Sequence, residues 1–263
     1  EIASELDAFN KDRRQIEAGM QKEALDIIEK LPFSQGDGDI PYAFSLFHSD
    51  WHQGVSGIVA SRIKDKFHRP VIVFADSGDG ELKGSGRSIE GLHLRDLLER
   101  INTLVPGVII KFGGHAMAAG LSIKENDYPK FSVLFEQLAQ EMLSEDQLSG
   151  KILSDGELDA PDFTLELAGQ LRDGGPWGQG FPEPCFDGKF RVVQQRIVGE
   201  KHLKLVLSPE HSNTVIDAIA FNVDIEVWPN PNIEWAHVAY KLDINEFRNK
   251  LSLQLMVEHI SPE

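Results

Sequence analysis

The strongest constraint on the fold is a change of hydrophobic period near residue 150. Before it, strand-like apolar runs alternate with helical ones; after it, nearly every run is strand-like. From residue 41, YAFSLF reads as a strand, GVSGIVASRIKDKF as a helix and PVIVFA (70–75) as a buried strand. ELKGSGRS reads as a strand entering a Gly-rich turn, LHLRDLLERIN as a helix, VIIKF (108–112) as an apolar strand and 127–148 as an amphipathic helix. The spacing predicts an α/β domain over 41–150. Ahead of it, Leu6, Phe9, Ile16, Met20, Ile27, Ile28 and Leu31 fall on helical spacing, predicting one long helix over 3–31, followed by a loop over 34–41 (SQGDGDIP). From 151 onward, a short helical piece (163–171) and a Gly/Pro-rich stretch, DGGPWGQGFPEP, precede five strand-like runs. These are FDGKFRVVQQRIV, HLKLVLS, TVIDAIAFN, EWAHVAYKLDINEF and LSLQLMVEHI, a set that predicts a small Greek-key barrel of the OB type. The predicted organisation is a connector helix and loop (1–40), an α/β domain (41–150) and an all-β barrel (151–263).

Composition narrows the function. Hydrophobic residues are 41% of the 263, enough to build cores, and no apolar run is long enough for a membrane helix. The opening EIASELDAFNKDRRQIEAG is charged throughout, unlike a secretory signal. Cys185 is the only cysteine, which excludes an internal disulfide and a Cys-rich zinc site and fits a reducing, cytoplasmic compartment. Because it opens at Glu1 in helical pattern, the sequence reads as a piece of a longer protein. The net charge of −16 argues against a polyanionic partner, yet Lys189, Arg191, Arg196, Lys201 and Lys204 crowd one short stretch against Glu200 alone. Beyond a Debye length of roughly 8–10 Å distant acids are screened, so this strip is either a phosphate contact or a solvated strand edge.

Three segments carry candidate chemistry. KFGGHAMAAG (111–120) ends a strand in Gly113 and Gly114 and then offers His115 with a run of small residues. A helix starting at His115 would aim bare N–H groups and its positive end at an anion, with His115 as donor; a tight joint with a capping histidine is the bland alternative. KGSGRS (83–88) places Arg87 beside Ser85 and Ser88, a guanidinium fork with hydroxyls suited to phosphate or carboxylate, without the GK[ST] of a P-loop. WHQGVSGIVASRI sets His52 before a helix carrying Arg62, and Trp51 reads as a core or rim aromatic. His48, Asp50 and His52 bring two histidines and an aspartate together, which reads as a strand-end polar loop sooner than as a metal site, and Asp76, Asp79 and Glu81 read as a solvated hairpin.

In this order and spacing, WHQGVSGIVASRI, KGSGRS and KFGGHAMAAG resemble the DHH-associated domain of the DHH phosphoesterases, whose signature is GGHxxAAG. PWGQGFPEPCFDG and FRVVQQRIVGEKHLK resemble the OB-fold of the RecJ family, single-strand-specific 5′→3′ exonucleases of that superfamily, and 1–31 is similar to the helix joining that family's two lobes. The resemblance covers essentially the whole chain. It implies a role in DNA repair and recombination, with Mn²⁺ or Mg²⁺ bound by an N-terminal DHH domain that this chain lacks, so that no metal is expected here and the fragment alone is expected to be inactive. It implies phosphate contacts at Gly113, Gly114, His115, Arg87 and Ser88, with Ser85 beside them and Arg62 in a similarly placed Ser-Arg. The OB-fold is implied to grip single-stranded DNA through Lys189, Arg191, Arg196, Lys201 and Lys204, with Phe190 or Trp177 as stackers or as core. SSB and other recombination proteins are implied partners; no membrane is. The alternatives are another DHH phosphoesterase acting on short oligonucleotides or cyclic dinucleotides, an editing accessory like that of alanyl-tRNA synthetase, and a non-catalytic strand- or protein-binding module.

Overall fold

The computed structural model describes residues 2–31, 39–178 and 180–263, and most of the loop expected over 34–41 lies outside them. Contacts divide the chain into two compact units, 1–150 and 151–263. A 28-residue helix, α1 (Ile2–Glu29), opens the first. Only its second half finds a core: Met20, Ala24 and Ile28 are buried with Trp51, and Trp51 Nε1 donates to Glu23 at 2.7 Å.

The first unit is a five-stranded sheet in the order β1 (Phe44–Phe47), β2 (Val71–Asp76), β3 (Glu81–Arg87), β5 (Ala118–Lys124), β4 (Lys111–Gly114). β1 and β2 are parallel, joined across α2 (Gln53–Phe67); the other pairings are antiparallel. β2 is buried on both faces, as its unbroken apolar run requires. Val71, Val73 and Ala75 meet Val55, Val59, Ala60 and Ile63 of α2. On the other face Ile72 and Phe74 join Leu82, Leu121 and Ile123 under α3 (Leu94–Leu104) and α4 (Tyr128–Met142). The expected helix over 127–148 breaks after Met142, where Ser144 and Gln147 form a capping box and α5 (Glu145–Leu148) begins. The strand expected over 108–112 begins only at Lys111, with Val108 and Ile109 buried as a loop against the core.

Two glycine-rich segments depart from expectation. KGSGRS is not a turn but the body of β3: Gly84 and Gly86 point into the core, where a Cβ would come within 2.6 Å of Leu121 and Phe74, or 2.7 Å of Leu94. Those glycines answer to packing rather than to flexibility. KFGGHAMAAG is a β4–β5 hairpin, and no helix starts at His115. His115 N–H is spent on the Ala118 carbonyl at 2.8 Å, so the expected helix-end anion site is absent at this segment. Gly114, at φ 143° with Ala119 Cα 2.5 Å from any Cβ, is the glycine the turn demands.

The second unit is a closed five-stranded barrel in which β6 (Phe186–Val198), β7 (His202–Pro209) and β8 (Ile216–Ala220) run in order, β10 (Lys250–Pro262) pairs parallel to β8, and β9 (Trp235–Phe247) closes onto β6. Alternation fills it: Phe190, Leu203, Leu205, Leu207, Ala218, Val238, Tyr240 and Leu255 face inward. The helix α6 (Leu165–Asp173) adds Ala168 to that core. The fold class is an N-terminal helix, an α/β domain and an OB-type barrel.

Candidate nucleic-acid interface

In the first unit α2 lies over β1, β2 and part of β3, and among the described residues no helix covers the same face of β5 and β4, where Gly113 and Gly120 are exposed although Ser122 is buried. Alternation decides which side chains stand there, and the register arranges them in rows. Arg87 pairs with Ala118; Ser85 with Gly120, which pairs with Gly113; Lys83 with Ser122, which pairs with Lys111. A cleft of about 480 Å³ opens over the lower two rows, bordered by Gln53 of α2, whose side-chain amide is anchored on the Asp76 carbonyl at 2.8 Å.

The structure sorts the expected residues. Arg87 Nη1 donates to the Gly86 carbonyl at 2.8 Å, and its other amino group lies against Gly57 of α2, where a Cβ would come within 2.8 Å. Glycine at 57 thus lets the guanidinium rest along the helix. Ser85 is half-buried on the open face; Gly113 and the hairpin residue His115 are exposed. Ser88 is buried, its hydroxyl donating to the Leu92 carbonyl at 2.8 Å, so it serves the fold. Arg62 stands exposed on α2 with its Nε 3.4 Å from Glu17 of α1, a helix–helix ion pair. Lys83 and Lys111 escaped the sequence reading. Their signal was the alternation Lys83, Ser85, Arg87, hidden because the intervening inward positions are glycines.

In the barrel, Arg191 and Arg196 are five residues apart, an odd spacing that strict alternation would send to opposite faces. A bulge at Val193 shifts the register, pairing Arg191 with Ser208 and Arg196 with Lys204 on the outer face. Counter-charges then divide the strip. Lys189 Nζ sits 2.8 Å from Glu263 and over the Trp235 ring at 5.4 Å; the hydrogen bond between Lys189 and Glu263 raises the lysine's pKa and lowers the carboxylate's. Lys204 lies 2.9 Å from Asp217. Arg191, Arg196 and Lys201 are exposed and form no ion pair among the described residues. Phe190 is core, 1% exposed, which removes it as a stacker. Trp177 donates its Nε1–H to the Leu171 carbonyl and packs on the exposed ring of Phe181 at 4.9 Å between centroids. Trp235, opposite Arg191 in the register, is an aromatic that the sequence reading missed.

No group of three or more His, Cys, Asp or Glu among the described residues could hold a metal ion. His52 is committed as the N-cap of α2, its Nδ1 accepting from Gly54 N–H at 3.0 Å. Nor is any helix among the described residues long and apolar enough to cross a membrane.

Compared with known families, residues 39–141 match the DHHA1 domain and 154–259 match the RecJ OB domain. Together the two domain matches cover most of the chain. It is 56% identical over 261 residues to the single-stranded-DNA-specific exonuclease RecJ of Dickeya dadantii and 54% identical to that of Escherichia coli, matching 99% of this chain in each case. The chain spans about 45% of the length of these curated RecJ relatives. The RecJ of Thermus thermophilus, solved in complex with Mn²⁺, shares the fold over 99% of this chain and 36% of its own at TM-score 0.73 and 24% identity. The same protein in complex with Mg²⁺ gives 0.70.

Proposed function

We propose that this chain is the strand-holding part of a metal-dependent 5′→3′ single-stranded-DNA exonuclease of DNA repair and recombination. The observation that carries the reading is the face of β3, β5 and β4 where Ser85 and Arg87 stand beside an open glycine floor and the His115 hairpin. A guanidinium presents a planar fork to two phosphate oxygens, and one already held against α2 needs little reorganisation when charge develops on a phosphate. Mn²⁺ or Mg²⁺, held by residues outside this chain, would supply an activated water. This chain's own part is to bind and orient. Arg87, Ser85 and His115 hold one phosphate, and Arg191, Arg196 and Lys201 hold further ones, with Trp235 and the Trp177–Phe181 pair offering faces for bases. On this reading the protein works in the cytoplasm, receives its strand from SSB and other recombination proteins, and releases no nucleotides as this chain alone.

The lack of a metal-holding cluster among the described residues favours one second reading, a strand-binding module without catalysis. One pair of measurements tests the proposal. In the longer enzyme, Arg87→Ala should slow single-turnover cleavage by roughly 10²–10³-fold, as removal of one charge-stabilising donor does, while strand affinity moves less than tenfold. An unchanged rate in a folded variant removes Arg87 from the site. Metal-dependent release of mononucleotides by this chain alone would overturn the division of labour.

A further inference from the structure

Lys83 and Lys111 occupy one cross-strand row with Ser122 between them, two strand spacings or about 10 Å apart. Both are exposed, neither forms an ion pair among the described residues, and the residues lining their cleft include no carboxylate. Two like charges facing one small cavity are mutually unfavourable until an anion sits between them. The neighbouring row adds a second, independent sign. Gly113 and Gly120 lie in extended strands, exposed, where a Cβ would meet nothing closer than a carbonyl oxygen at 3.9 Å. Neither the core nor the backbone asks for glycine there, although glycine weakens a strand. Gly84, Gly86 and Gly114, by contrast, are explained by packing or by φ. A bare strand floor beside unpaired lysines is what close approach of a ligand requires.

We infer that Lys83 and Lys111 form a second phosphate subsite, in which another phosphodiester of the same single strand lies over the Gly113–Gly120 floor. This rests on the strand-holding reading above and extends it. The Lys83 row is four residues from Arg87 along β3, about 13 Å, so the two ends of the face address different phosphates. Gln53, fixed on the Asp76 carbonyl, borders the same cleft and marks its wall.

The test uses this chain and a labelled oligothymidylate, with affinity measured across a salt series. Lys83→Ala with Lys111→Ala should flatten the slope of log K against log[salt] by about 1.4, two contacts at ~0.7 each, and weaken binding roughly 60-fold at 50 mM salt by the same relation. Lys124→Ala, an exposed lysine that does not line the cleft, should leave both unchanged. Gly120→Val should weaken binding by filling the floor while its melting temperature holds or rises, since the space is open. A slope and affinity unchanged in the double variant, while Arg191→Ala with Arg196→Ala still weakens binding, would overturn the subsite and leave the strand-holding reading standing. If neither pair moves the affinity, both fall. A lower melting temperature for Gly120→Val would show that the fold needs this glycine and would overturn the floor.

Discussion

Replacing Arg191, Arg196 and Lys201 together by alanine should change the salt dependence of strand binding, whereas replacing Lys189 and Lys204 should not. The distinction comes from the barrel's ion pairs. Lys189 is held by Glu263 at 2.8 Å and Lys204 by Asp217 at 2.9 Å, so neither releases counterions in full when a phosphate arrives. The other three face water with no ion pair among the described residues. At ~0.7 per single-strand contact they contribute a slope of about −2.1, so their share of the affinity falls roughly 20-fold between 50 and 200 mM salt. The triple variant should lose that component. The Lys189→Ala, Lys204→Ala variant should keep the wild-type slope even if its affinity drops, because it exposes Glu263 and Asp217. Fluorescence anisotropy of a labelled oligothymidylate, titrated at several salt concentrations, reads the slope directly. An equal flattening in both variants would refute the reasoning, since the ion pairs would then be too weak to withhold a lysine from the strand.

Two further outcomes test the fold beneath the site. Gly84→Ala should destabilise the first unit by about 1–3 kcal/mol, because its Cβ has no room beside Leu121 and Phe74; urea melts that match wild type would return the segment to a flexible turn. Asp187, whose pKa is lowered by the Ser154 hydroxyl and then by His237, contributes stability that is complete above the ordinary carboxylate range and is lost as pH falls through its depressed folded value. The stability gap between wild type and Asp187→Asn should therefore narrow on acidification in urea melts, and a gap that widens would reverse the assignment.

The elements that were legible in the sequence are those with a clean period. α2 and α3 carry helical spacing, HLKLVLS and its neighbours alternate, and PVIVFA could only be a buried strand. The misread segments are those where glycine occupies the inward positions. In ELKGSGR the alternation is present in burial but not in hydrophobicity, since Gly84 and Gly86 make room for Ile72, Phe74 and Leu94 from elsewhere in the chain. KFGGHAMAAG, small and weakly periodic, gave no local means of choosing a hairpin over a helix start. The resemblance to DHH-associated domains pointed to the segments that build this face but not to which of their side chains stand on it: Ser88 turned inward, Arg62 turned to Glu17, and Lys83 and Lys111 went unnoticed. Which barrel cations are free depends on Asp217 and Glu263, residues far along the chain that local spacing cannot bring together with the strip.

The extra residue at Val193 also governs how this barrel can change over generations. Outward positions of β6 can exchange one side chain for another and so retune what the surface attracts. The length of chain between Arg191 and Arg196 is freer in one direction than in the other. Losing Val193 would leave the two arginines four residues apart and on one face by plain alternation, whereas one further inserted residue would turn Arg196 toward the apolar interior or draw Phe190 out of it. Point substitution and loss of the bulge itself are thus the open routes for altering this surface, and an insertion of a single codon in the same span is the change that would set an arginine against the core.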